Sequence, residues 1–230
     1  GRSFGGAIAD QFEQAGWEVV SRDYFEMKQT KFYPLLSKWK ERKVSVVAGT
    51  STVPSSFAAL VKQAREVGLK SMVIADGLGW MGEWYDLAGD ASDYVLDEIP
   101  QFASEESKEF RDSFEEEWDQ KPSASSSGLA FDGANYLIKI LEKTYDLYGE
   151  INSETIQKVN HHLVRTGDLT YEDGILMKEY KYTPETSPDP VVGKEYYIYP
   201  VIQYHGGEGT VIWPQSWAEG QFEVPPYFEE

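Results

Sequence analysis

The sequence predicts an α/β fold with a parallel sheet. Three observations carry this. Apolar residues recur at helical spacing in several stretches of the first hundred residues. Short, continuous apolar runs lie between those stretches. Glycines and small polar loops mark the joins, so strand and helix alternate with short connections.

Each element follows from its residues. Phe4, Ile8, Phe12 and Ala15 space a first helix, and Gly16 stops it, since glycine adopts left-handed backbone without strain. Trp17 to Phe25, centred on Val19-Val20, predicts a strand. Phe32, Leu35, Leu36 and Trp39 share one face of a second helix. Val44 to Ala48 predicts a short buried strand ending at Gly49. Thr50-Ser51-Thr52-Val53-Pro54-Ser55-Ser56 then forms a loop of small hydroxyls, with Pro near the next helix start and a hydroxyl cap available there. That helix runs to about Val67 and Gly68. Ser71 to Ala75 predicts another strand.

The middle of the chain is mostly helical. Phe110, Phe114 and Trp118 lie four apart on one helix, and eight acids between Glu105 and Asp119 mark its solvated side. Ala130, Ala134, Leu137, Ile138, Leu141 and Tyr145 mark a second amphipathic helix, and residues 154–164 a weaker third. Tyr196 to Tyr204 is rich in strand formers. It is followed by the turn His205-Gly206-Gly207-Glu208-Gly209 and the strand Thr210 to Trp213, which together predict a hairpin. The proline-rich end reads as an extended tail.

Composition narrows the function. The chain has 230 residues, enough for one large domain or two small ones, with 41% hydrophobic and 26% charged residues. Its 21 Lys+Arg against 39 Asp+Glu give a net charge of -18, which repels nucleic acid and anionic membranes. Without cysteine there are no disulfides, thiolate catalysis or Cys-ligated metals, and export to an oxidising compartment is as compatible as the cytosol. His161-His162 are adjacent and point apart on a helix, so they do not pair on a metal. Phosphate-cradling glycine loops and a nucleophile elbow are absent from the sequence. No metal or cofactor is expected. The chain opens Gly1-Arg2-Ser3-Phe4 with no initiator Met and no signal peptide, and reads as mature, trimmed or partial.

Two loops follow the carboxyl ends of short strands, where open α/β sheets bind ligands. In the first, the hydroxyls and amides of Thr50, Ser51 and Thr52 beside a helix start suit a polar or anionic group; the plainer reading is a loop that caps its own helix. In the second, Asp76 ends a strand with Trp80 and Trp84 close behind. A carboxylate beside aromatics suits an ammonium group by ion pairing and cation–π attraction. The plainer reading is a turn aspartate bonding its own backbone, with Trp in the core.

Phe57-Ala58-Ala59-Leu60-Val61-Lys62-Gln63-Ala64-Arg65-Glu66-Val67-Gly68-Leu69-Lys70 resembles the helix and turn of type I periplasmic binding proteins, closest to the leucine/isoleucine/valine-binding receptors of ABC transporters. Other pieces fall in the family's order: Gly1 to Gly5, Leu35 to Lys40, Leu87 to Ala91, Phe131-Asp132-Gly133-Ala134 and Val211-Ile212-Trp213-Pro214. Their order and spacing run across nearly the whole chain.

The resemblance implies the type I periplasmic-binding-protein fold, with Rossmann-like lobes on parallel sheets and the first lobe largely missing. Residues 1–98 would be the second lobe without its first strand. Residues 99–192 would be the helical return segment of the first lobe, and 193–230 the second-lobe return strands and tail. Ser51 and Thr52 would occupy the loop where some relatives place a Tyr against the ligand. Asp76 would stand at, or one residue from, the acid that binds the ligand's ammonium. Trp80 would lie in a loop of variable length. The implied function is a non-enzymatic, periplasmic or extracellular solute receptor. It would capture an amino acid or related small metabolite between two lobes and present it to an ABC permease. The alternatives are a sensor of the same fold and a carboxylate-based hydrolase, the latter requiring a second carboxylate near Asp76.

Overall fold

The computed structural model describes residues 2–78, 84–193, 196 and 198–228, with side chains from residue 5 onward. Two compact units are present: Gly1–Ile99 with Pro200–Glu230, and Pro100–Tyr199.

In the first unit, α1 (Arg2–Gln14) ends as expected. Gly16 takes φ +88° and the Trp17 N–H donates back to the Phe12 carbonyl at 2.9 Å. The strand expected over Trp17–Phe25 does not form. Exposure alternates from Val19 to Glu26 as a strand's would, but among the described residues the segment joins no ladder. Side chains hold it instead. Asp23 accepts from Ser21 at 2.6 Å, Lys38 at 3.0 Å and the Trp39 indole at 3.0 Å.

Helix α2 (Tyr33–Glu41) starts at Phe32, which has no side chain to cap it. Gln63 of α3 (Pro54–Glu66) accepts the Phe32 N–H at 2.7 Å and donates to the Thr30 carbonyl at 2.7 Å. Sequence-local capping is thus replaced by a tertiary one.

Five strands form one sheet in the order β1 (Val46–Thr50), β2 (Met72–Asp76), β3 (Leu96–Glu98), β4 (Val201–His205) and β5 (Glu208–Trp213). The first three run parallel, whereas β4 runs antiparallel to both β3 and β5, so the sheet is mixed. The hairpin joins β4 to β5. Gly206 and Gly207, at φ +57° and +91°, make the two-residue turn, and a Cβ on Gly207 would lie 2.8 Å from the Tyr85 ring. Strand β1 sits two residues later than expected, so Gly49 and Thr50 belong to it. Core residues Phe32, Leu36, Leu60, Val61, Val73, Leu78, Trp84, Val95 and Ile202 are buried between α2, α3, α4 (Trp84–Ala88) and the sheet.

The second unit is helical. α5 (Glu105–Trp118) is capped by Ser104, whose hydroxyl accepts the Ser107 N–H at 3.1 Å. The rings of Phe102, Phe110, Phe114 and Trp118 follow one another at 5.8, 6.0 and 6.4 Å. A π-helical turn, Ala124–Gly128, leads into α6 (Leu129–Tyr148), and α7 (Ser153–Val159) follows from an Asn152 capping box. Tyr136, Val159, Val164, Leu169, Tyr171, Met177 and Tyr180 form the core. The expected apolar face of α6 is not the buried one. Asp132, Tyr136 and Thr144 are buried, while Leu137, Ile138 and Tyr145 are 50%, 52% and 59% exposed. No described helix is long and apolar enough to cross a membrane.

Candidate functional site

Three parallel strands end at one edge of the sheet, and their last residues are in register. Thr50 pairs with Asp76, and Asp76 pairs with Glu98. Register partners share a face of the sheet, so these three side chains form a row at the carboxyl edge. The Thr50 hydroxyl donates to the Asp76 carbonyl at 3.3 Å.

The loop after β1 leaves its helix uncapped. The N-cap of α3 is Val53, without a side-chain hydrogen bond, so the reading in which the loop hydroxyls cap α3 is overturned. Ser51 instead closes a small turn of its own. Its hydroxyl accepts the Val53 N–H and donates to the Val53 carbonyl, both at 3.2 Å. Thr52 is exposed.

Asp76 is half-buried. Burial pushes its carboxyl above the ordinary carboxylate range; the Thr50 hydroxyl pulls it partly back, and repulsion from Asp97 raises it further. Glu98 stands at the solvent edge. The desolvation it does suffer raises it, as does repulsion from Asp76 and Asp97. Among the described residues, the salt bridges found engage neither Asp76 nor Glu98. Nor could any described cluster of three or more His, Asp or Glu hold a metal ion.

Asp97 is fully buried beneath this row. One carboxylate oxygen accepts the Gly77 N–H at 2.8 Å and the Glu98 N–H at 2.9 Å. The other accepts the Tyr204 hydroxyl at 2.9 Å. Burial, and then the neighbouring Asp97 charge, push the Tyr204 phenol far up. The turn aspartate of this site is therefore Asp97, reaching across from β3, while Asp76 leaves its own following N–H to it.

The sequence-predicted residues fall out as follows. Thr50 and Asp76 are adjacent across the sheet, and Ser51 and Thr52 continue from Thr50. Trp80 lies outside the described residues. Trp84 is in the core, 6.2 Å from the Phe57 ring and 6.3 Å from the Tyr204 ring. Sequence reasoning missed Asp97, Glu98 and Tyr204. The signal was Tyr94-Val95-Leu96 after the turn Gly89–Ser92, where the alternation of elements calls for a third strand.

This architecture recurs in solved structures. A putative branched-chain amino acid ABC transporter protein from Silicibacter pomeroyi superimposes with a TM-score of 0.68 at 19% identity, over 96% of this chain and 57% of that one. A leucine binding protein from Thermotoga maritima gives 0.64 at 16% identity, over 90% and 54%. A solute binding protein of an ABC transporter from R. palustris, in complex with benzoate, gives 0.61 at 14%, over 90% and 53%. The chain thus spans little more than half the length of these structures. Among curated proteins the sequence has no match. The family described as periplasmic binding protein matches residues 1–182. With most of the sequence and its sheet-and-helix framework both matched, the chain belongs to the periplasmic binding protein family.

Proposed function

We propose that the chain is part of a periplasmic or extracellular solute receptor of an ABC transporter. It captures an amino acid or related small polar or aromatic metabolite between two lobes, and the closed form is read by a membrane permease. In this reading residues 1–98 and 193–230 form the second lobe, and residues 99–192 are the return segment of the first. The observation that carries it is the row Thr50, Asp76, Glu98 at the carboxyl edge of the parallel strands, the edge at which such sheets bind ligands. Two carboxylates in that row favour a solute with an ammonium group over a purely anionic one. Asp76 takes the ammonium, Thr50, Ser51 and Thr52 supply polar contacts, and Trp80 adds its ring face.

Thermal shift of the full-length protein tests this. The panel is the twenty L-amino acids, small amines and benzoate. An amine-bearing solute at about 100-fold its Kd adds about 2.7 kcal/mol of stability, and Asp76→Asn removes the shift. If no member of the panel raises Tm, the receptor reading fails.

A second reading, a carboxylate-based hydrolase, is favoured by one feature: Asp76 and Glu98 are register partners and both carboxyls are raised. It requires turnover of a nitrophenyl ester or glycoside that disappears in both Asp76→Asn and Glu98→Gln.

A further inference from the structure

We propose that Asp97 is the positioning residue of the candidate site: by tying the Gly77 turn to β3 and β4, it fixes where the Asp76 side chain stands. This rests on the receptor reading for what Asp76 binds, but not for the positioning itself.

Gly77 takes φ +77° directly after Asp76, so the chain turns sharply at the end of β2. A turn there needs a partner for its N–H. Asp97 provides it at 2.8 Å, and the same oxygen takes the Glu98 N–H at 2.9 Å. One buried atom therefore clamps the backbone just beyond Asp76 and the backbone of Glu98, the next residue in the row. The second oxygen is held by Tyr204 at 2.9 Å. Tyr204 is itself locked by backbone bonds to the residues leading into β3, its N–H donating to Val95 at 3.1 Å and its carbonyl accepting from Tyr94 at 2.8 Å. The clamp thus runs from β4 through Asp97 to the turn that presents Asp76. Charge-assisted bonds of this kind are short and strong, and burial strengthens them.

Asp97 also sets the charge environment. Among the described residues, the groups facing Asp76 are the Thr50 hydroxyl from β1 and the Asp97 and Glu98 carboxylates from β3, with Tyr204 on β4 behind Asp97. Burial is the first thing that disfavours the ionised form of Asp76, and repulsion from Asp97 adds to it. The net effect at Asp76 is a carboxyl that is held in place yet reluctant to ionise until a cation arrives.

Asp97→Asn separates the clamp from the charge. Among the described residues, both N–H donors reach one oxygen, which the Asn carbonyl replaces. The Asn NH2 then donates to the Tyr204 oxygen, whose hydroxyl turns to accept. The clamp survives while the charge is removed. Asp97→Ala removes both.

NMR of the full chain reads this without a ligand, through Gly77 amide exchange, the Asp76 χ1 couplings and the pH titration of the Asp76 carboxyl carbon. In Asp97→Asn, Gly77 protection stays within about threefold of wild type, Asp76 keeps one rotamer, and its titration midpoint falls. In Asp97→Ala, Gly77 protection drops at least about tenfold, as loss of a charged hydrogen bond implies, and Asp76 averages over rotamers. Tyr204→Phe gives an intermediate loss at Gly77 and stands in if the Ala variant does not fold. The proposal is overturned if Asp76 keeps a single rotamer with unchanged Gly77 protection in the Ala or Phe variant, or if Asp97→Asn leaves the Asp76 midpoint where it was. Failure of every solute in the thermal-shift panel would remove the receptor reading and leave these results standing.

Discussion

Asp132 and Tyr180 lie 48 residues apart in the chain and meet at 2.6 Å in the interior of the helical unit. The same carboxylate accepts the Ile175 N–H at 2.8 Å on one oxygen and the Leu176 N–H at 3.0 Å on the other. Asp132 is fully buried on α6, so this one side chain fastens the loop 174–180 to the helix. There is no room to spare: a Cβ on Gly174 would lie 2.6 Å from the Met177 carbonyl and 2.7 Å from the Tyr180 ring.

Replacing Asp132 with Ala should therefore destabilise the chain by about 3 kcal/mol or more, because two buried donors and a half-buried one lose their acceptor. Asn should be nearly as damaging. Asp132 uses both oxygens for backbone N–H groups, so an Asn NH2 must face a donor wherever it is placed. Urea denaturation of Asp132→Asn beside Asp97→Asn checks this, with a clear loss for the first and a small one for the second.

Asp23 makes the opposite use of charge. Burial raises its carboxyl, but hydrogen bonds from Ser21, Trp39 and Lys38 outweigh that and hold it below its ordinary value. Its contribution is present above the unfolded-state pKa and is lost as pH falls through the lower, folded value. Asp23→Ala should cost about 1–2 kcal/mol at pH 7, discounted because Lys38 is partly exposed, and progressively less in acid. Melting curves across pH 2 to 7 show whether the gap closes as stated.

For Asp76 and Glu98 the sign reverses. Both folded-state values are raised, so their share of stability is present below the unfolded pKa and is lost as pH rises through the folded one. Asp76→Asn should raise Tm by roughly 2–4 °C at pH 7 and by less at pH 4, while removing solute binding. A variant that melts lower at pH 7 would mean that Asp76 is a structural rather than a binding carboxylate.

How far the site was legible follows from where its information sits. Thr50 and Asp76 are visible because each ends an apolar run at a turn, a local pattern. Asp97 and Tyr204 are not, because they are 107 residues apart and their meeting depends on β4 pairing with β3. β3 itself is three residues long and two of them are acids, so it lacks the apolar signature of a strand. The expected strand at Trp17–Phe25 shows the converse. Its residues have strand character, but a strand needs a neighbour, and sequence pattern does not supply one. Helix α6 shows the same in a third form. Its periodicity was plain, yet burial follows Asp132 and Tyr136, whose partners come from the loop at 169–182.

That face of α6 gives a last prediction. Ile138, Leu141 and Tyr145 line a shallow groove with Ile151, and Leu137, Ile138, Tyr145 and Ile151 are each about half exposed, at 50%, 52%, 59% and 49%. Side chains so exposed contribute little burial energy, and Gln or Lys suits a helix about as well as Leu. Leu137→Gln with Ile138→Lys should therefore change stability by no more than about 1 kcal/mol in this chain, at about 0.5 kcal/mol a site. It should also lower the fluorescence of a dye that binds exposed apolar surface, and raise solubility. Tyr136→Ala, one turn position away but buried with its hydroxyl donating to the Leu169 carbonyl at 2.6 Å, should cost about 3–5 kcal/mol. Equal losses for the two variants would show that the outer face of α6 is covered in solution.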